Sequence, residues 1–169
     1  MSETSSLTVG LFGTCGGSRW RDPFMREYDN REIAYYNPQV EDWKPEYADI
    51  EAQHLANDPI ILFPVTGETY GTGSLSETGF SILNALDINY YRDVVVMIDP
   101  NLDESLDDPV ARRESLRARK LVKSHLAQQC LKGLYIVNSL DDMLGLSLEL
   151  HDIARLRAHA ERWRATKHN

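Results

Sequence analysis

Only two of the 169 residues are cysteine, Cys15 and Cys130, and they form no CxxC pair. That excludes a disulfide scaffold and a cysteine-rich zinc site, and it makes a reducing, cytoplasmic setting the expectation. No apolar run reaches the roughly 18 residues of a membrane-spanning helix. Residues 1–6 are polar and lack the pattern of a secretory signal. Positive charge is also short: 18 Lys plus Arg stand against 26 Asp plus Glu, a net charge of -8. A mostly negative field attracts a phosphate backbone poorly, so no polymeric nucleic acid is expected as partner. The five histidines stand at no recognisable ligand spacing from a cysteine or acid, so no metal is expected. GxSxG, GxGxxG and GxxxxGK[ST] patterns are all missing.

What remains is an ordinary globular composition, 42% apolar and 26% charged, and a length that suits one domain over 1–169. Short apolar runs alternate with helical patterns. Strands are predicted at Leu7–Phe12, Ile33–Tyr36, Ile60–Phe63, Val94–Ile98 and Leu134–Val137. Helices are predicted at about Asp22–Asp29, Glu46–Asn57, Ser76–Leu86, Arg112–Gln129 and Leu140–Arg164. In the second helix Tyr47, Ile50 and Leu55 are the apolar positions. In the last, Leu144, Leu148, Ile153, Leu156, Ala160 and Trp163 read as the inward stripe. Five strands, each followed by a helix, predict a single doubly wound α/β domain, a five-stranded mostly parallel sheet flanked by helices.

Ligands in such folds lie beyond the carboxyl ends of the strands. That selects the loops Gly13–Trp20, Asn37–Trp43 and Val65–Glu77. The first gathers backbone N–H groups, hydroxyls and a guanidinium, a composition that can wrap an anion or a nucleotide. Its glycines also suit a plain tight turn, and Trp20 also suits a packing aromatic. In the third loop Ser74 or Ser76 can cap the next helix. Glu77 then falls in the first turn, where the dipole favours an ionised carboxylate. It reads equally as a helix-terminal charge. Asp58 precedes the third strand, at the edge away from these loops. Of the charged runs, Asp99–Asp108 reads as a solvated loop and Arg112–Lys123 as a solvated helix face.

Three segments resemble the nucleoside 2-deoxyribosyltransferase-like proteins: Val9–Asp22 around Gly13-Thr14-Cys15-Gly16-Gly17-Ser18, Tyr36–Trp43, and Gly71–Gly79 around Glu77. The resemblance implies cleavage or transfer at the N-glycosidic bond of a 2-deoxynucleoside or its monophosphate, with no cofactor. It implies Glu77 as nucleophile and Asp58 as a group that protonates the base or organises the site. It also implies a homo-oligomer and a substrate pocket built from Gly13, Thr14, Cys15, Gly16, Ser18, Arg19, Trp20, Asn37, Trp43, Gly71, Thr72, Gly73 and Ser74. One position departs from that pattern. An acid usually stands where this chain has Gly71, with Glu68 as a conceivable substitute. Two alternatives stay open: an N-glycoside hydrolase with water as acceptor, and a non-catalytic nucleotide-binding or interaction module.

Overall fold

The computed structural model describes residues 7–40, 44–88, 91–161 and 163. Its elements run β1 (Val9–Leu11), α1 (Arg21–Asn30), β2 (Tyr35–Tyr36), α2 (Tyr47–Asn57), β3 (Ile60–Val65), α3 (Thr72–Ile88), β4 (Asp93–Ile98), α4 (Pro109–Gln128), β5 (Leu134–Val137) and α5 (Leu140–Glu161). The strands form one sheet in the order β2-β1-β3-β4-β5. All four pairings are parallel. This is the flavodoxin-like doubly wound order, whose switch point lies between β1 and β3. The expected fold class is therefore correct.

β3 and β4 are buried along their whole length, as continuous apolar runs in a sheet covered on both faces must be. One face carries Trp20, the residue before α1, with Phe24 and Tyr28 of α1 against Met143, Leu150 and Ala154 of α5. The Tyr28 hydroxyl meets the Ser147 hydroxyl at 2.6 Å and ties these helices together. The other face packs Phe63, Val65 and Val96 against Leu75 and Ile82 of α3 and Leu126 of α4.

Several boundaries differ from the sequence reading. β1 is the shorter Val9–Leu11. β3 continues two residues past Phe63, through Pro64 to Val65. A proline fits there because β1 has already ended opposite Leu62, and the loop after it docks instead: the Thr14 amide donates to the Pro64 carbonyl at 2.9 Å. Ile50 in α2 faces solvent, 44% exposed, while Glu51 and His54 share the half-buried side with Tyr47 and Leu55. The α5 stripe is also corrected. Leu144 and Leu148 are partly buried and pack against the core as expected. The fully buried residues are Met143, Ser147, Leu150 and Ala154, whereas Ile153 and Leu156 are exposed and Trp163 is 78% exposed.

Candidate functional site

The loop after β1 is held by its own side chains. Thr14 is buried; its hydroxyl donates to the Pro64 carbonyl at 3.2 Å and accepts from the Thr66 amide at 2.9 Å. Trp20 is buried too, its indole N–H donating to the Thr14 carbonyl at 2.9 Å and its ring edge-on to Phe24. The Arg21 guanidinium, 1% exposed, donates to the carbonyls of Leu11, Phe12 and Thr14 and reaches Gln39. These groups brace the loop, which leaves Cys15, Gly16, Gly17 and Arg19 as its exposed residues. Arg19 pairs with Asp22 at 2.7 Å on the surface.

Beneath this loop opens a cavity of about 910 Å³. Its walls are the exposed loop residues with Ser18, Asp22 of α1, the segment Asn37–Val40, and two glutamates, Glu51 of α2 and Glu77 of α3. Sequence reasoning missed Glu51. The available signal was an acid on the same helical face as Tyr47 and Leu55, four residues apart in each step. Burial and the neighbouring Glu51 both push the Glu77 carboxyl above the ordinary glutamate range. α3 begins at Thr72, so Glu77 lies in the second turn, and no acid occupies the first. The expected capping by Ser74 or Ser76 is corrected as well. The Ser76 hydroxyl donates back to the Thr72 carbonyl at 2.9 Å, inside the helix. The dipole argument for an ionised Glu77 therefore gives way to a carboxyl that holds its proton more tightly.

Asp58 sits at the amino end of β3 and is not among the lining residues of this cavity. It is buried, with His54 Nδ1 at 3.0 Å. Burial raises its carboxyl, against the opposing pull of His54 and Arg92. Arg92 in turn donates to the carbonyls of Leu55, Ala56 and Ala85, so the cluster binds the ends of α2 and α3 together. Asn37 lines the Glu77 cavity, whereas Gly13, Thr14, Trp20, Gly71, Thr72, Gly73 and Ser74 are not among its lining residues. Trp43 lies outside the described residues.

Gly71 has a local reason of its own. Its φ is +68°, and a Cβ there would stand 2.9 Å from Val65 Cγ1 and 3.0 Å from Arg119 Nη2. No acid can occupy the position without strain. Gly71→Asp should lower stability by about 2 kcal/mol through the left-handed backbone alone, read as a fall in thermal midpoint of about 4–8 °C. An unchanged midpoint would show that the loop relaxes freely. Glu68 does not stand in for an acid in the Glu77 cavity. It accepts from the Ser18 and Thr66 hydroxyls and lines a second cavity of about 830 Å³, over the carboxyl ends of β3, β4 and β5. Arg119, in the run read as a solvated face, is buried beneath the same loop.

Among the described residues no group of three His, Cys, Asp or Glu side chains gathers closely enough to hold a metal ion. No described helix is long and apolar enough to cross a membrane.

No family model matches the chain, and no curated protein matches it. Among solved structures, the crystal structure of the RPS4 and RRS1 TIR domain heterodimer superposes with a TM-score of 0.54. The identity is 10%, over 86% of this chain and 97% of that chain. The likeness is one of fold. It overturns the deoxyribosyltransferase-like reading, which no match supports. The residues that carried that reading have structural reasons to be where they are: Gly13 and Gly71 take positive φ, and Thr14 staples two loops. Glycine and Ser or Thr are favoured in tight turns for such local reasons.

Proposed function

We propose that this chain is an N-glycoside hydrolase acting on a nucleoside or nucleotide, with water as acceptor. The observation that carries the reading is the meeting of Glu51 and Glu77 in one cavity at the carboxyl edge of the sheet, under a glycine loop. Burial first, and Glu51 second, strengthen the hold of the Glu77 carboxyl on its proton. Glu77 then donates that proton to the departing base as the C–N bond breaks. Glu51 faces the positive charge that develops on the sugar and, as the base, accepts a proton from the water that bonds to the anomeric carbon. Base, free sugar and the starting total of protons result. The cavity volume accommodates a molecule of nucleotide size.

A panel of nucleosides and nucleotides, followed by chromatography, tests this. Free base and free sugar should accumulate, and adding a second free base should yield no new nucleoside. Absence of release across the panel, with binding retained, would favour the non-catalytic nucleotide-binding module. That second reading draws on the bracing of Thr14, Trp20 and Arg21, which commits much of the loop to structure.

A further inference from the structure

α2 and α4 lie on the same face of the sheet, on either side of α3, which packs against both. Their outer ridges differ in charge. On α4 the exposed residues Val110, Arg113, Arg117, Lys120 and Leu121 follow one another at helical spacing. Val110 is 58% and Leu121 53% exposed. On the outside of α2, Glu46, Asp49, Ile50 and Gln53 do the same, with Ile50 44% exposed. One ridge is basic with apolar residues at each end, and the other is acidic around one apolar residue. The ridge on α4 spans about 16 Å and the one on α2 about 10 Å. α3 stands between the two helices.

We propose that the basic ridge of α4 docks on the acidic ridge of α2 in a second copy of this chain. Arg113 and Arg117 then meet Glu46 and Asp49, and Leu121 packs beside Ile50. Their present partner, Glu114, is an exposed neighbour at 3.3 and 3.8 Å, a pairing that contributes little on a surface. The contact is heterologous. Each copy offers a free α2 at one end and a free α4 at the other, so association continues past the dimer. A single helix-on-helix contact is smaller than the about 800 Å² per partner of stable complexes. Assembly therefore belongs to high protein concentration. The inference is independent of the chemistry proposed for the cavity.

Two charge-reversed proteins test it by light scattering: Arg117→Glu with Lys120→Glu on α4, and Glu46→Lys with Asp49→Lys on α2. All four positions are exposed, and thermal melting verifies that both variants fold. Wild-type mass should climb beyond twice the monomer mass of 19.3 kDa as concentration rises. Each variant alone should remain monomeric. Mixed in equal amounts, they should associate past the dimer in alternation, because the wild-type α4–α2 contact and the charge-swapped one are both matched between them. Variants that associate as the wild type does would overturn the proposal and move the interface elsewhere, for example to the exposed Ile153 and Leu156 of α5. A wild type that stays monomeric or ends at a dimer, or a mixture that stays monomeric, would overturn it as well.

Discussion

Glu77→Gln is expected to reduce base release by about 10²–10⁴-fold, the usual contribution of a positioned proton donor. The amide keeps the size of the side chain and most of its hydrogen bonding, so nucleotide binding should persist. What it removes is the proton. The pH behaviour supplies a second readout. Burial and Glu51 raise the Glu77 carboxyl, so its protonated form survives to higher pH than in a free glutamate. Release should fall as pH rises through that shifted value. Stability carries the same sign. The folded state holds the Glu77 proton more tightly than the unfolded chain does. The resulting stabilisation is complete below the unfolded pKa and is lost as pH rises through the folded one. Glutamine does not titrate. The thermal midpoint of Glu77→Gln should therefore gain on the wild type across that same interval. Equal release from both proteins would remove Glu77 from the chemistry.

Arg119→Met should cost about 3 kcal/mol or more, since several buried acceptors lose a charged donor at once. The Arg119 guanidinium, 1% exposed, donates to the carbonyls of Val65 (3.1 Å), Asp99 (3.0 Å), Thr66 (2.9 Å) and Thr69 (2.9 Å), and to the Ser115 hydroxyl (3.2 Å). It thereby gathers the ends of β3 and β4 and the loop that leads into α3. Methionine fills similar space but donates nothing, and the Val65 and Thr66 carbonyls are buried with it. For a chain of this length the midpoint should drop by about 6–12 °C. Lysine should fall between the two, because one ammonium cannot copy a planar fork. A change of less than about 2 °C in Arg119→Met would show that water or a neighbour satisfies the carbonyls.

The strands were legible because their signal is local. Val94–Ile98 is β-branched nearly throughout, and a parallel sheet buries such a run whole. The catalytic candidate Glu77 was legible from the glycine-rich loop before it. Other features depended on contacts distant in the chain. Arg21, Arg92 and Arg119 look like surface charges in a sequence. In the fold each is buried and donates to main-chain carbonyls, at strand ends for Arg21 and Arg119 and at helix ends for Arg92. α3 begins four residues before the expected Ser76, directly after the left-handed turn at Gly71. The α5 stripe was misplaced because Ser147, whose hydroxyl meets Tyr28, occupies an inward position that hydrophobic periodicity gives to leucine. Glu51 escaped for the same reason: an acid faces inward only where a cavity lies in front of it.

α2 has no fully buried side chain. Near its far end Tyr36 stacks on His54 at 3.6 Å and Arg92 holds the carbonyls of Leu55 and Ala56. In its first turn Tyr47 is half-buried, and Ala48, Asp49 and Ile50 are exposed. Local opening costs least in segments with little buried apolar surface. Fraying of α2 thus begins at the end that carries Glu51, while the sheet and Glu77 stay in place. The two glutamates of the cavity have unequal lifetimes: Glu77 persists as long as the fold does, and Glu51 only as long as the exposed start of α2 remains wound.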